Sequence, residues 1–214
     1  MMETKNKNTS QRHLSVRTMC LHIRALYNLA QPTEVIDGKR WYREARAWCA
    51  QVSHDSGVPL LNVVGALAAL SPGTSWELNK RDTLNLIDAF TFSDASPFDI
   101  TVSTYRANLK KAIDILNNCE GWDDVFETLQ GKTGYKTARF FACIYKPNNE
   151  EYVCIDRHAY KAAQNIVDGG EIGITWKRYR ETQQAYIRVA KSLKLKPCEL
   201  QGIVWVVYKR INNR

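Results

Sequence analysis

The sequence predicts an all-α protein, and three features of its apolar pattern support this prediction. Apolar residues recur at positions i, i+3, i+4 and i+7 in one segment after another, which is the spacing of a single helix face. Proline, glycine and serine interrupt the pattern between these segments, as they do where helices end. Apolar and polar residues nowhere alternate between turn sequences in the way that half-buried strands require.

The N-terminal part is expected to contain a tail followed by two helices. Residues 1–12 are polar and basic and predict a disordered tail, which leaves residues 13–214 as a single helical domain. The apolar stripe that begins at Met19 predicts a helix that Pro32 ends. A second stripe predicts a helix over residues 39–54.

The middle of the chain is expected to supply the central helix of the fold. Pro59 precedes the segment LLNVVGALAAL, which is apolar nearly all round and therefore predicts a helix buried on every side. Amphipathic helices are predicted over residues 75–90, 105–116 and 122–129, with a loop at residues 91–101.

Four more helices are predicted in the C-terminal part, over residues 138–145, 159–166, 176–193 and 198–211. The last of them contains a β-branched run at residues 203–208, which could form a strand by propensity alone. Because its apolar residues form a helical stripe, we predict a helix there as well.

The charge of the chain favours a polyanionic partner. Lysine and arginine total 30 against 22 aspartate and glutamate residues, a formal net charge of +8. Basic side chains that neutralise phosphates release condensed counterions, so an excess of this size suits nucleic acid. A soluble protein that is basic for other reasons would have the same composition.

The cysteines and the absence of apolar runs predict a reducing, cytoplasmic location. None of the six cysteines forms a C-x-x-C pair, so the sequence predicts no zinc or iron–sulfur site. The N-terminus lacks the apolar core of a signal peptide, and no apolar run is long enough for a membrane span. We expect free, mostly buried cysteines and no membrane association.

A glycine turn between two amphipathic segments is the first candidate for a binding site. In the segment LQGKTGYKTA at residues 129–138, Gly131 and Gly134 let the backbone approach a ligand closely. The backbone N–H groups of such a turn and of the helix after it can hold a phosphate, and Lys132 and Lys136 add positive charge. A plain connection between helices with solvated lysines is the alternative interpretation.

An acidic residue follows a short apolar stretch further along the chain. Asp156 comes after Tyr152-Val153-Cys154-Ile155 and just before a predicted helix. An aspartate at this position can cap the helix, which would be a structural role. It can also be a partly desolvated carboxylate that faces a pocket, which would be a functional role.

These two segments resemble the hairpin and the segment after it in the helix-hairpin-helix DNA glycosylases, the superfamily of endonuclease III and the 8-oxoguanine glycosylases. The family hairpin reads approximately L-P-G-V-G-x-K-T-A, and a V-D-x-H segment follows it. This chain has L-Q-G-K-T-G-Y-K-T-A and then I-D-R-H. The segments LAALSPGTSWELNK, RANLKKAIDIL and ELQGIVWVVYKRI are similar to other parts of the family, so the resemblance covers about residues 58–211.

The resemblance implies a helical bundle, as one unit or as two lobes with a cleft between them, and a catalytic pair. Lys136 matches the nucleophilic lysine of the family and Asp156 its catalytic aspartate, 20 residues later. The lysine would attack the sugar of a nucleotide flipped out of the duplex, and the aspartate would help to deprotonate the amine and stabilise positive charge on the sugar.

The same resemblance implies a set of residues that contact the DNA and the flipped base. Those expected at the duplex are Gly131, Lys132, Thr133, Gly134, Tyr135, Thr137, Arg139, Arg157 and His158. Candidates for the base pocket, or for the wedge that fills the gap in the duplex, are Trp76, Asn79 and Tyr105, chosen by their chemistry.

The chain departs from the family pattern at several positions. Its hairpin has one extra residue between the glycines, and Gln130 stands where the family has proline. The polar wedge of the family would fall near Pro72 or Gly73, and the iron–sulfur loop of some members is absent. We therefore expect no cofactor, apart from a monovalent cation that the hairpin could hold.

The sequence thus predicts a monomeric DNA glycosylase of base-excision repair, with AP-lyase activity and double-stranded DNA as its partner. Two alternatives stay open at this point. The chain could be a non-catalytic DNA-binding protein that keeps the hairpin for phosphate contacts alone. It could also be a glycosylase-like enzyme of modified-base metabolism.

Overall fold

The protein is all-helical within residues 13–92, 96–167 and 173–212, which are the residues that this computed structural model describes. These residues form ten helices and no strand. The predicted tail at residues 1–12 lies outside the described residues, as does the pair Gly169-Gly170. The helices are α1 (Val16–Asn28), α2 (Pro32–Ser56), α3 (Leu60–Leu70), α4 (Trp76–Thr91), α5 (Arg106–Asn118), α6 (Trp122–Gln130), α7 (Tyr135–Tyr145), α8 (Arg157–Gln164), α9 (Trp176–Leu193) and α10 (Pro197–Ile211).

Pro32 begins α2 instead of ending α1. Helix α1 already ends at Asn28, and Pro32 occupies the first turn of α2. A proline is well tolerated there because its missing N–H would have no partner within the helix. The N–H of Gln31 donates to the Glu34 carboxylate at 2.8 Å, which completes the cap. Helix α2 therefore starts seven residues before the predicted residue 39.

Helix α3 lies at the centre of the larger of two hydrophobic cores. Every residue from Asn62 to Leu70 is buried, as its all-round apolar sequence predicted. Helices α2, α4, α5, α6 and α7 pack around it. The side chain of Asn62 donates to the carbonyls of Ile115 and Cys119, both at 2.8 Å, and ties α3 to the end of α5.

A second core joins the two ends of the described chain. Helices α1, α8, α9 and α10 bury a separate group of side chains that includes Met19, Ile23 and Tyr186. Helices α2 and α10 connect the two cores by packing closely against each other. A Cβ atom on Gly38 would lie 2.4 Å from the backbone nitrogen of Ile203, so only glycine permits this approach. The two helices together form part of the wall of a cavity.

None of the helices in the described ranges is both long and apolar enough to cross a lipid bilayer. All six cysteines are unpaired, and all but Cys20 are buried.

Candidate functional site

The turn between α6 and α7 has the close backbone geometry that its glycines predicted. Gly131 ends α6 with φ of 43°, and the N–H of Gly134 donates to the Gln130 carbonyl at 2.6 Å. A Cβ atom on Gly134 would lie 2.1 Å from the carbonyl oxygen of Leu129, so no other residue fits without opening the turn. This turn sets the direction in which α7 leaves and therefore the position of Lys136.

The N-terminus of α7 carries no side-chain cap and no acidic residue in its first turn. Lys132 and Thr133 are exposed beside it. The positive end of a helix with free N–H groups favours an anion such as a phosphate. The Leu129 carbonyl accepts a hydrogen bond from the Lys111 ammonium at 3.2 Å, so a cation of the chain itself already lies at the hairpin.

Asp156 both caps α8 and lines a cavity. The extended segment before it is held by Tyr179, whose hydroxyl donates to the Val153 carbonyl at 2.9 Å and accepts from the Ile155 N–H at 3.0 Å. Asp156 Oδ1 then accepts from the Ala159 N–H at 2.7 Å as the N-cap. The residue is half-buried, so it caps the helix and still faces the cavity.

Lys136 and Asp156 line the same cavity of about 500 Å³. Among the ion pairs of the described residues none joins the two side chains, and the Lys136 amine has no hydrogen-bond partner within the described chain. Both groups are thus available to a third molecule in the cavity. The volume is typical of a small-molecule site.

Aromatic rings form much of the cavity wall. The ring of Trp41 lies 5.2 Å from that of Trp76 and 5.9 Å from that of Phe140, measured between centroids, and all three line the cavity. Trp205 lines it from α10, with the Lys209 ammonium 4.3 Å from its ring centroid. Such surfaces favour a flat, polarisable ligand.

Cys154 also lines the cavity but is not suited to act as a nucleophile. Burial raises the pKa of its thiol to about 12, which the nearby Lys136 ammonium opposes and the nearby Asp156 carboxylate reinforces. The thiol is therefore protonated at neutral pH, and only the thiolate is strongly nucleophilic.

Arg139 was expected to contact DNA, but the structure places it in the interior. The residue is only 8% exposed, because it lies on the face of α7 that packs into the core. Its guanidinium donates to Gln130 Oε1 and lies 5.0 Å from the ring centroid of Phe126 and 5.1 Å from that of Trp176. Arg139 therefore links α6, α7 and α9 and has little exposed surface to offer a duplex.

Of the three pocket or wedge candidates, the structure brings Trp76 and Asn79 to the cavity but not Tyr105. Tyr105 is 74% exposed and is the N-cap residue of α5, so it does not line the pocket. The loop before it is nonetheless tied close to the cavity, because the Thr104 hydroxyl donates to the Pro72 carbonyl at 2.7 Å.

The other expected DNA contacts are spread along the hairpin and the start of α8. Gly131 and Arg157 are exposed, and Thr137 is half-buried in the first turn of α7. The Tyr135 ring packs against that of Trp176, with 4.5 Å between centroids. The His158 ring lies 6.2 Å from that of Trp205, so it belongs to the packing behind the cavity wall.

Several residues of the cavity carry no signal in the sequence. Trp41, Phe140, Gln201 and Trp205 line it, yet each lies in an ordinary helical segment. Only the packing of α2, α7 and α10 brings them together. Within the described residues, no group of three or more His, Cys, Asp or Glu side chains is arranged to hold a metal ion.

Comparison with known proteins identifies one family. Residues 5–213 match the model described as a family of unknown function, DUF7178. Searches of curated proteins and of solved structures returned no match.

Proposed function

Since the chain belongs to DUF7178, a family of unknown function, we propose from its cavity that it is a DNA base-excision glycosylase with AP-lyase activity. The observation that carries the proposal is that Lys136 and Asp156 line one aromatic-walled cavity, beside a glycine hairpin suited to a phosphate. The proposed chemistry needs the amine and the carboxylate in one space, and a shared cavity provides it.

The amine of Lys136 is the nucleophile of the proposed reaction. Unprotonated Nζ attacks C1′ of the target nucleotide, and the C1′–N bond breaks so that the base leaves with the bonding electrons and then takes up a proton. Loss of a proton from the new ammonium and opening of the sugar ring give a Schiff base. β-Elimination from this intermediate breaks the C3′–O bond and cleaves the strand.

The carboxylate of Asp156 supports this reaction in two ways. It accepts a proton from the Lys136 amine, directly or through water, and it stabilises the positive charge that develops on the sugar. Its bond to the Ala159 N–H fixes its orientation in advance. A preoriented charge needs no reorganisation during the reaction, which is the source of electrostatic catalysis.

The hairpin would bind the DNA backbone and the cavity would receive the flipped nucleotide. The free N–H groups of α7, together with Lys132, suit a phosphate without reading sequence. Once the base is flipped, Trp41, Trp76 and Phe140 offer it rings to replace the stacking lost from the duplex. The reaction would take place in the reducing, cytoplasmic compartment predicted from the sequence.

Borohydride trapping tests the proposal. The protein is incubated with a duplex that carries one abasic site, and borohydride reduces any Schiff base to a stable covalent adduct that is visible on a denaturing gel. The wild type should form the adduct and Lys136→Ala should not. Lys110→Ala, which removes an exposed lysine of α5, is the matched control and should react like the wild type.

The same samples separate the catalytic proposal from a binding protein. If the wild type gives no adduct while wild type and Lys136→Ala bind the duplex equally well, the protein binds DNA without this chemistry. Further duplexes, which carry a damaged or a hypermodified base in place of the abasic site, test the other alternative. If an adduct forms on the hypermodified base and not on the damaged ones, the protein belongs to modified-base metabolism instead of repair.

A further inference from the structure

Two carboxamide side chains line the cavity and are almost completely buried. Asn79 extends from α4 and is 2% exposed, and Gln201 extends from α10 and is 5% exposed. Both lie among aromatic and aliphatic walls, where a polar group without a partner is unfavourable. The donors and acceptors that these two side chains leave unpaired therefore indicate which ligand the cavity is suited to bind.

Within residues 13–92, 96–167 and 173–212, the side-chain amide of Asn79 has no hydrogen-bond partner. Oδ1 is buried and unpaired, and Nδ2 donates to no atom of the described residues. The backbone of the residue is satisfied, since its N–H donates to the Ser75 carbonyl and its carbonyl accepts from the Thr83 hydroxyl. The side chain thus keeps one donor and one acceptor side by side for a ligand.

Gln201 has its side-chain amino group available to donate to a ligand, because only its amide oxygen is paired within the described residues. The Tyr42 hydroxyl donates to Gln201 Oε1 at 2.8 Å, which orients the amide. Within the described part of the chain, its amino group donates to nothing. The cavity therefore offers a donor–acceptor pair from Asn79 and a donor from Gln201.

We propose that the cavity selects an oxopyrimidine base, with Asn79 and Gln201 as the residues that read its polar edge. Uracil, thymine and cytosine each carry a ring carbonyl that can accept from Gln201. Beside it they present an N3 position and a second exocyclic group, which together complement the donor and acceptor of Asn79. The rings of Trp41, Trp76 and Phe140 provide the apolar surfaces for the base.

Purines use these protein groups less completely. Adenine has no carbonyl for the amino group of Gln201, and guanine presents two donors in succession at its polar edge. Each would leave a buried protein group unpaired, and a site of this kind discriminates strongly against such ligands. The inference rests on the proposed function, because it takes the ligand of the cavity to be a base.

Titration with free bases tests the inference without DNA or lysine chemistry. Binding is followed by tryptophan fluorescence, since Trp41, Trp76 and Trp205 line the cavity, and by the rise in Tm. Uracil, thymine and cytosine should bind at least about tenfold more tightly than adenine, a factor that corresponds to roughly 1.4 kcal/mol.

Two buried asparagines provide matched variants. Asn79→Leu removes an amide without a partner, so it should weaken oxopyrimidine binding at least about tenfold while the Tm stays at or above the wild-type value. Asn62→Leu removes an amide that makes two hydrogen bonds and does not line the cavity, so it should lower the Tm and leave base binding unchanged.

Three results would overturn the inference: equal binding of adenine, no binding of any oxopyrimidine, or unchanged binding by Asn79→Leu. A lower Tm in Asn79→Leu would count against an unpaired amide. Borohydride trapping reports on Lys136 alone, so a negative result there with selective base binding would refute the glycosylase chemistry and not the base selection.

Discussion

Replacing Asp156 by asparagine and by alanine separates two roles of this side chain. As the N-cap of α8 it accepts from the Ala159 N–H at 2.7 Å, and as a charged group it lines the cavity with Lys136. Asparagine caps a helix about as well as aspartate, whereas alanine does not. Asp156→Asn therefore removes the charge and keeps the cap, and Asp156→Ala removes both.

The expected magnitudes differ for stability and for reaction rate. Loss of the cap in Asp156→Ala should cost about 1 kcal/mol, which lowers the Tm of a domain of this size by roughly 2–4 °C. Asp156→Asn should keep the Tm within about 2 °C of the wild type. Loss of the charge should slow Schiff-base formation by roughly 10²–10³ in both variants, the range for a removed electrostatic group.

Circular dichroism during heating gives the Tm, and the rate of borohydride-trapped adduct gives the reactivity. If Asp156→Asn forms the adduct at the wild-type rate, the carboxylate is only a helix cap. The catalytic assignment would also fail if the rates of the two variants fell only in proportion to their loss of folded protein.

Three further predictions concern the hairpin, the contact of α2 with α10, and the cavity thiol. Gly134→Ala would place a Cβ 2.1 Å from the Leu129 oxygen and so distort the turn. It should weaken duplex binding at least about tenfold in an electrophoretic mobility shift assay. An unchanged affinity would refute the role of the turn. Gly38→Ala should push α2 away from α10 and lower the free energy of unfolding by about 2 kcal/mol. Calorimetry should show a fall in Tm of roughly 4–8 °C. An unchanged Tm would contradict the close packing. Burial raises the pKa of the Cys154 thiol to about 12, so iodoacetamide at pH 7.5 should label this residue only after the protein is unfolded in urea. Mass spectrometry locates the label. Rapid labelling of Cys154 in the native protein would contradict the prediction.

The sequence alone determined the all-helical class and most of the helices. The limits of α3 and α9 follow from an apolar segment and an apolar stripe, because the helical period is a local property that neighbouring residues reveal. Lys136 and Asp156, which the resemblance pairs, line one cavity, and their catalytic roles stay a prediction. The start of α2 was predicted wrongly, because a proline can mark either the end of one helix or the first turn of the next. Pro32 lies in the first turn of α2.

Only the tertiary structure decided which polar and aromatic side chains reach the cavity. Arg139 follows a lysine-rich turn and looks like a phosphate contact, yet the direction of α7 buries it against Phe126 and Trp176. Asn79 and Gln201 lie 122 residues apart in the chain. The unpaired amide of Asn79 and the unpaired amino group of Gln201 become recognisable only once α4 and α10 line the same space. The physical reason is that a periodic pattern specifies which face of a helix is buried, whereas the neighbours of that face depend on how distant helices pack.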